Sequence, residues 1–178
     1  MPHNFRQSFI WDLPRLAGQH ALMRHVAGGW SFTGIWTWQS GNPIRIRTGR
    51  DRSLAGTNDD RPDLLSGISP FLPSNRPRAE VIQEYFNTDA FTLNPLGTFG
   101  TTPRNLIHAP GDFKVDVSLQ KQIPLSEGHR LQFRAEFFNM LNNVNLGSPQ
   151  RTMVNRRFGR ITSAGSPRII QLALKYVF

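Results

Sequence analysis

Five stretches of the chain alternate apolar and polar residues with a period of two. In the first, Phe5, Phe9, Trp11 and Leu13 share a parity with Gln7, against Arg6, Ser8, Ile10 and Asp12. In the second, Trp30, Phe32, Gly34, Trp36 and Trp38 oppose Ser31, Thr33, Ile35, Thr37 and Gln39. Phe113, Val115, Val117 and Leu119 then alternate with Asp112, Lys114, Asp116, Ser118 and Gln120. Leu131, Phe133, Ala135 and Phe137 alternate with Gln132, Arg134, Glu136 and the less tidy Phe138. Last, Ile170, Leu172, Leu174, Tyr176 and Phe178 oppose Ile169, Gln171, Ala173, Lys175 and Val177. A two-residue period belongs to strands with two unlike faces; a helix would scatter the same residues around its circumference. The pattern predicts strands near 5–13, 28–40, 112–122, 130–140 and 168–178. They exceed the usual soluble length of ~5–6 residues and match the ~9–11 that cross a bilayer at a tilt.

The connections alternate too. Leu13 to Gly28 is moderately short, and Ile123 to His129 reads as a tight turn with Pro124 and Gly128. Segments 41–111 and 141–167 are long and rich in Asn, Asp, Pro, Gly and Arg. Short turns on one side and long loops on the other are the habit of outer-membrane barrels, whereas compact soluble domains rarely hold such loops. Within the first long loop, Ile44–Thr48 reads as a strand extension and Ala79–Asn87 as a short helix. The expected fold is all-β: an antiparallel transmembrane β-barrel segment of about five long strands with long extracellular loops. Complete bacterial barrels have even strand numbers, so five strands read as part of a larger barrel, and the resemblance given below implies that they are its last strands. Residues 1–178 then form one partial barrel domain with no plug domain.

Composition sharpens this picture. Apolar residues make up 38%, below the ~45–50% of ordinary globular chains, yet there are 13 Phe, 4 Trp and 2 Tyr. Twelve of these 19 aromatics lie on the apolar parity of a predicted strand. Phe9, Trp11, Trp30, Phe32, Trp36, Trp38, Phe133 and Phe137 are the candidate lipid-facing aromatics. The inner face of a soluble β-sandwich or small barrel would show the same alternation. Strand length, loop alternation and the placing of Trp36 and Trp38 near a strand end favour the membrane. No 18-residue apolar run exists, which excludes a transmembrane helix. The start Met1-Pro2-His3-Asn4-Phe5 lacks the features of a signal peptide. The net charge of +9 rests on 18 Arg and 3 Lys spread along the chain; a nucleic-acid partner would need them on one face, so none is expected. Arg45, Arg47, Arg50, Arg52, Arg151, Arg156, Arg157 and Arg160 either hold lipopolysaccharide phosphates through bidentate contacts or are solvated loop charges. A soluble all-β module binding nucleic acid or polysaccharide is the alternative reading.

Reactive chemistry is sparse. Cysteine is absent, and the five histidines (His3, His20, His25, His108, His129) form no H-x-x-x-H pair. His20 and His25 beside Arg24 make a poor metal site. Asp59, Asp60 and Asp63 beside Arg61 lack the Gly and terminal Glu of a calcium loop, and Gly97-x-x-Gly100 lacks the Lys of a phosphate loop. No G-x-S-x-G occurs. No catalytic, cofactor or metal site is expected, and the chain reads as non-enzymatic. Asp116, Arg134, Glu136 and Lys175 have lumen parity, where they form a cross-strand charge ladder or line a substrate path.

The terminal strand R-I-I-Q-L-A-L-K-Y-V-F resembles the C-terminal assembly signal of bacterial outer-membrane barrel proteins. Ile170, Leu172, Leu174, Tyr176 and Phe178 carry that resemblance. Further motifs come in order: W-S-F-T-G-I-W-T-W-Q-S-G-N-P (30–43), Y-F-N-T-D-A-F (85–91) and G-T-F-G-T-T-P-R-N (97–105). P-G-D-F-K-V-D-V-S-L-Q-K (110–121), L-Q-F-R-A-E-F-F-N-M-L-N (131–142) and F-G-R-I-T (158–162) follow. The series resembles the barrel end of TonB-dependent receptors of the Oar-like type. The resemblance implies an outer-membrane location and energised substrate uptake by the intact form. As partners it implies outer-membrane lipid and lipopolysaccharide, the barrel-assembly machinery, and a TonB complex reached only through N-terminal parts beyond this segment.

Overall fold

Alternating residues become a sheet when each strand finds a neighbour in a register that keeps like faces together. The structure, a computed structural model, describes residues 3–14, 20 and 26–178. Most of the Leu13–Gly28 connection, His25 and the first two residues therefore lie outside the described residues. In chain order the strands are β1 (Asn4–Asp12), β2 (Trp30–Gln39), β3 (Pro43–Ile44), β4 (Asp63–Leu64) and β5 (Phe91–Thr92). They are followed by β6 (Ile107–His108), β7 (Asp112–Ser126), β8 (His129–Phe138) and β9 (Ile169–Val177). The five long strands form one antiparallel sheet in the order β1-β2-β7-β8-β9, an up-and-down meander. Among the described residues β1 pairs only with β2 and β9 only with β8, which leaves the sheet open at both edges.

The turn predicted over Ile123–His129 is tighter than expected, because β7 continues to Ser126. The register with β8 shifts between Pro124 and Ser126. Proline has no N–H to give the ladder, so a strand accommodates it at such an irregularity. The reversal then needs only Glu127 and Gly128, the latter at φ +78°, a conformation glycine adopts without steric penalty.

The chain divides into two compact units. The unit that holds the five-stranded sheet comprises the described residues of His3–Gln39, Asp112–Val144 and Ser166–Phe178. Ser40–Gly111 and Asn145–Gly165 make the other. The two long polar segments are thus a packed unit with its own core, built from Ile44, Ile46, Phe86, Ala90, Phe91, Ile107 and Ala109. Two corrections to the local reading follow. Ile44–Thr48 does not prolong β2: Ile44 pairs with Ile107 in a separate two-stranded sheet, and Arg47 bridges to Thr152. The helix expected over Ala79–Asn87 is α1, Arg78–Gln83. It stops because Glu84 is extended and its carboxylate accepts from the N–H (3.1 Å) and hydroxyl (3.0 Å) of Thr88.

Motifs distant in sequence meet in this unit. Phe86 and Phe91 form edge-on ring pairs with Phe158, at 5.3 and 6.1 Å between centroids. The Tyr85 N–H donates to Gly159 O (2.8 Å) and that of Ile161 to Ile82 O (2.9 Å). G-T-F-G-T-T-P-R-N likewise folds onto residues 59–64: the Thr101 N–H donates to the Asp63 carboxylate (2.9 Å), and Thr102 donates twice to Pro62 O.

Asp60 holds the neighbouring turn. Its carboxylate accepts from the N–H of Arg52 (2.6 Å) and Ser53 (2.7 Å) and from the Ser53 hydroxyl (2.8 Å). These bonds, led by the Ser53 N–H, hold its pKa below the ordinary carboxylate range. A carboxyl whose folded pKa is depressed contributes stability above its unfolded pKa of ~3.9 and loses it as pH falls through the folded value. Hydrogen exchange of residues 48–60 should therefore accelerate below about pH 4. In Asp60→Asn the same amides should exchange faster at neutral pH and lose most of that acid dependence. An unchanged acid profile in the variant would assign the effect elsewhere.

Candidate membrane-facing surface

The strand register decides whether five separate alternations make one surface. Phe9 stands opposite Gly34, Gly34 opposite Val117, Val117 opposite Phe137, and Phe137 opposite Ile170. The next row is Trp11, Phe32, Leu119, Ala135 and Leu172. All the apolar parities thus coincide on one face, continuous from β1 to β9. That face includes every candidate aromatic and all four Trp (11, 30, 36 and 38). Large parts of it are uncovered: Trp11 is 63% exposed and Leu172 70%.

The rings pack laterally. Trp36 makes edge-on contacts with Phe5 (5.9 Å) and Phe113 (6.0 Å), and Trp30 does so with Phe133 (6.2 Å). Phe9 leans over Gly34 so closely that any Cβ there would collide with its ring. An aromatic laid across a strand glycine shields backbone that the missing side chain leaves bare. Indole and phenol rings stand near strand ends: Trp36 and Trp38 at one end of β2, Trp30 at the other, Trp11 and Tyr176 at the ends of β1 and β9. The Tyr176 hydroxyl lies 2.7 Å from His129 Nδ1 and the two rings stack. Of the terminal set, Ile170, Leu172, Leu174 and Tyr176 line β9, while Phe178 lies just past it.

The opposite face is mostly polar. It carries Arg6, Thr33, Thr37, Lys114, Asp116, Gln120, Arg134, Glu136 and Lys175, with Ile10, Ile35, Phe138, Ile169, Ala173 and Val177 as exceptions. The charges do not form a cross-strand ladder. Asp116 faces Ile35, Arg134 faces Gln120 and Ala173, Glu136 faces Ser118 and Gln171, and Lys175 faces Gln132. The sheet's ion pairs instead run along single strands, Lys114–Asp112 (3.1 Å) and Arg134–Glu136 (3.7 Å).

Asp116 does something the pattern did not suggest. Its carboxylate accepts the Asn139 N–H (2.8 Å) at the exit of β8. Asn139, 4% exposed and at φ +49°, donates to Asn143 O (2.9 Å) and Ser166 O (3.1 Å) and accepts from the Asn143 N–H (3.0 Å). The last residue of R-A-E-F-F-N thus ties the exit of β8 to the approach of β9. Asparagine tolerates the left-handed backbone this needs.

Lys121 was also missed. It sits in the apolar row between Trp30 and Phe133, 5% exposed. Its ammonium donates to Val26 O (2.8 Å) and Gly28 O (3.0 Å) and lies 4.8 Å from the Trp30 ring centre. The stem lies along apolar surface while the charge ends on carbonyls at the strand end. Its parity was the available signal: a lysine breaking an otherwise apolar row.

The loop arginines separate into two sets. Arg45 and Arg47 share Asp59 (2.7 and 3.2 Å), Arg47 also donates to the Thr152 hydroxyl (3.1 Å), and Arg52 donates to Asn94 O (2.8 Å). Arg50, Arg151, Arg156, Arg157 and Arg160 are exposed. Among the described residues no group of three His, Asp or Glu stands close enough to hold a metal ion, and Asp59, Asp60 and Asp63 bond to loop partners instead.

An apolar sheet face, bordered by aromatic rings and backed by a polar face, is the pattern found in the wall of a membrane barrel. Residues 1–171 match the family described as Outer membrane beta barrel domain, and the chain belongs to that family. The outer membrane is the location this membership supports. No curated protein and no solved structure matches the chain significantly.

Proposed function

We propose that the chain is wall from a TonB-dependent receptor-like barrel of the Oar-like type, whose intact form takes up a substrate across the outer membrane. The observation that carries the membrane role is the single apolar face continuous over all five strands. The receptor assignment is supported by the motif series from Trp30 to Thr162 and by the terminal strand. Both outer strands have an edge unpaired among the described residues, and antiparallel closure needs an even total, which fits a larger barrel. In this reading the β7–β8 turn is periplasmic, the loop unit is outside, and the exposed arginines meet lipopolysaccharide phosphates. The polar face lines the lumen, the barrel-assembly machinery reads β9, and TonB acts through parts outside this segment. The wall performs no chemistry of its own and takes no cofactor. A soluble β-module for nucleic acid or polysaccharide is not favoured, since the family is an outer-membrane one.

All four tryptophans share the apolar face, so their emission reports on it alone. In phosphatidylcholine vesicles, brominated acyl chains should quench most of the emission and aqueous iodide little; the reverse result would reject the membrane face. For the receptor assignment, the chain should replace the last five strands of a TonB-dependent receptor and leave assembly and energised uptake measurable. Assembly without uptake would retain the wall and discard the transport assignment.

A further inference from the structure

The loop unit contains a cavity of about 400 Å³ between α1, the segment 71–76 and β6. This lies within the ~300–1,000 Å³ typical of small-molecule sites. Its walls are apolar, with Val81, Phe86 and Ile107 inside and Phe71, 59% exposed, at the rim. Among the described residues, Arg76 supplies the only formal charge and no carboxylate lines the space. The guanidinium is held by its Nε–H to Pro73 O (3.1 Å) and an Nη2–H to Tyr85 O (3.4 Å). These bonds set its plane and leave Nη1 without a protein partner among the described residues. Tyr85 and His108 add a phenol and an imidazole; a tyrosine hydroxyl is a donor at neutral pH, and burial moves the Tyr85 pKa further up.

A pre-oriented guanidinium lining a half-open, largely apolar cleft, with no carboxylate among the lining residues, selects a particular chemistry. The planar fork matches a carboxylate, and the walls accept an apolar body. We propose that this cavity is a binding site for a small amphipathic carboxylate, its charged end on Arg76 and its aryl or acyl body against Phe71, Leu72 and Val81, over a floor made by the buried Phe86 and Ile107. The site lies wholly in the loop unit and stands whichever way the membrane role is decided.

The test uses the full chain in detergent micelles with 2-naphthoate as probe and 2-naphthalenemethanol as its uncharged counterpart. Equilibrium dialysis should show one saturable naphthoate site above micelle partitioning, with the alcohol at least tenfold weaker. Naphthoate should shift the amide resonances of residues 71–85 and 107–109. Arg76→Gln should weaken naphthoate at least tenfold and leave the alcohol unchanged. Non-saturable uptake alone, or equal binding of naphthoate by wild type and variant, would overturn the proposal. If the variant does not fold, the wild-type ratio decides, and a carboxylate-to-alcohol preference near one overturns it.

Discussion

Phe32→Arg should raise the free energy of folding into a bilayer by about 2–4 kcal/mol, the cost of a cation at the midplane of a barrel's lipid face. Phe32 lies in the middle of the apolar rows, between Trp11 on β1 and Leu119 on β7. Its neighbour Thr33 faces the other way, between Ile10 and Ser118. Thr33→Arg should therefore cost little, since a lumen-facing charge stays hydrated. Denaturant titration of folding into vesicles, followed by tryptophan emission, measures both. Equal penalties at the two positions would mean that the two faces meet the same medium. A soluble core would also lose stability on Phe32→Arg, so the assignment to lipid requires the quenching pattern described above as well.

Phe86→Ala should remove about 3–5 kcal/mol from the loop unit, the usual range for deleting a buried phenyl ring. Phe86 is 1% exposed and touches Phe91 and Phe158 edge-on. Its loss opens a cavity and breaks two aromatic pairs, each worth about 0.5–1.5 kcal/mol beyond burial. Native-state hydrogen exchange should show residues 40–111 and 145–165 opening more readily, with β7 and β8 amides unchanged. Uniform acceleration across both units would mean that the two unfold together. Should the loop unit unfold outright, the naphthoate site should vanish with it, because Phe86 also lines that cavity.

How much of this could be seen in the residue order depends on the range of the interactions. β1, β2, β7, β8 and β9 were visible because two-residue alternation is a local consequence of the pleat. The loop unit escaped the same reading. Its core residues are scattered apolar positions such as Ile44, Phe86 and Ile107, with no period common to them. Lys121 could be flagged by parity, but its carbonyl partners lie more than 90 residues away. Asn139 looked like the end of a motif; its role appears only where β8 leaves the sheet and Ser166 approaches it.

By itself the sequence determined that these segments are strands and which side of each is apolar, since alternate residues on a pleat must point to opposite faces. It also supplied nearly all the aromatic surface of the sheet. Only the tertiary structure decided that five apolar sides are one continuous face, because a register slip of one residue would have turned a strand's apolar side the other way. Tertiary contacts also decided that the polar segments between strands pack into a unit with a core and a cavity. Those contacts join residues tens of positions apart, and no local pattern encodes which distant pairs will meet.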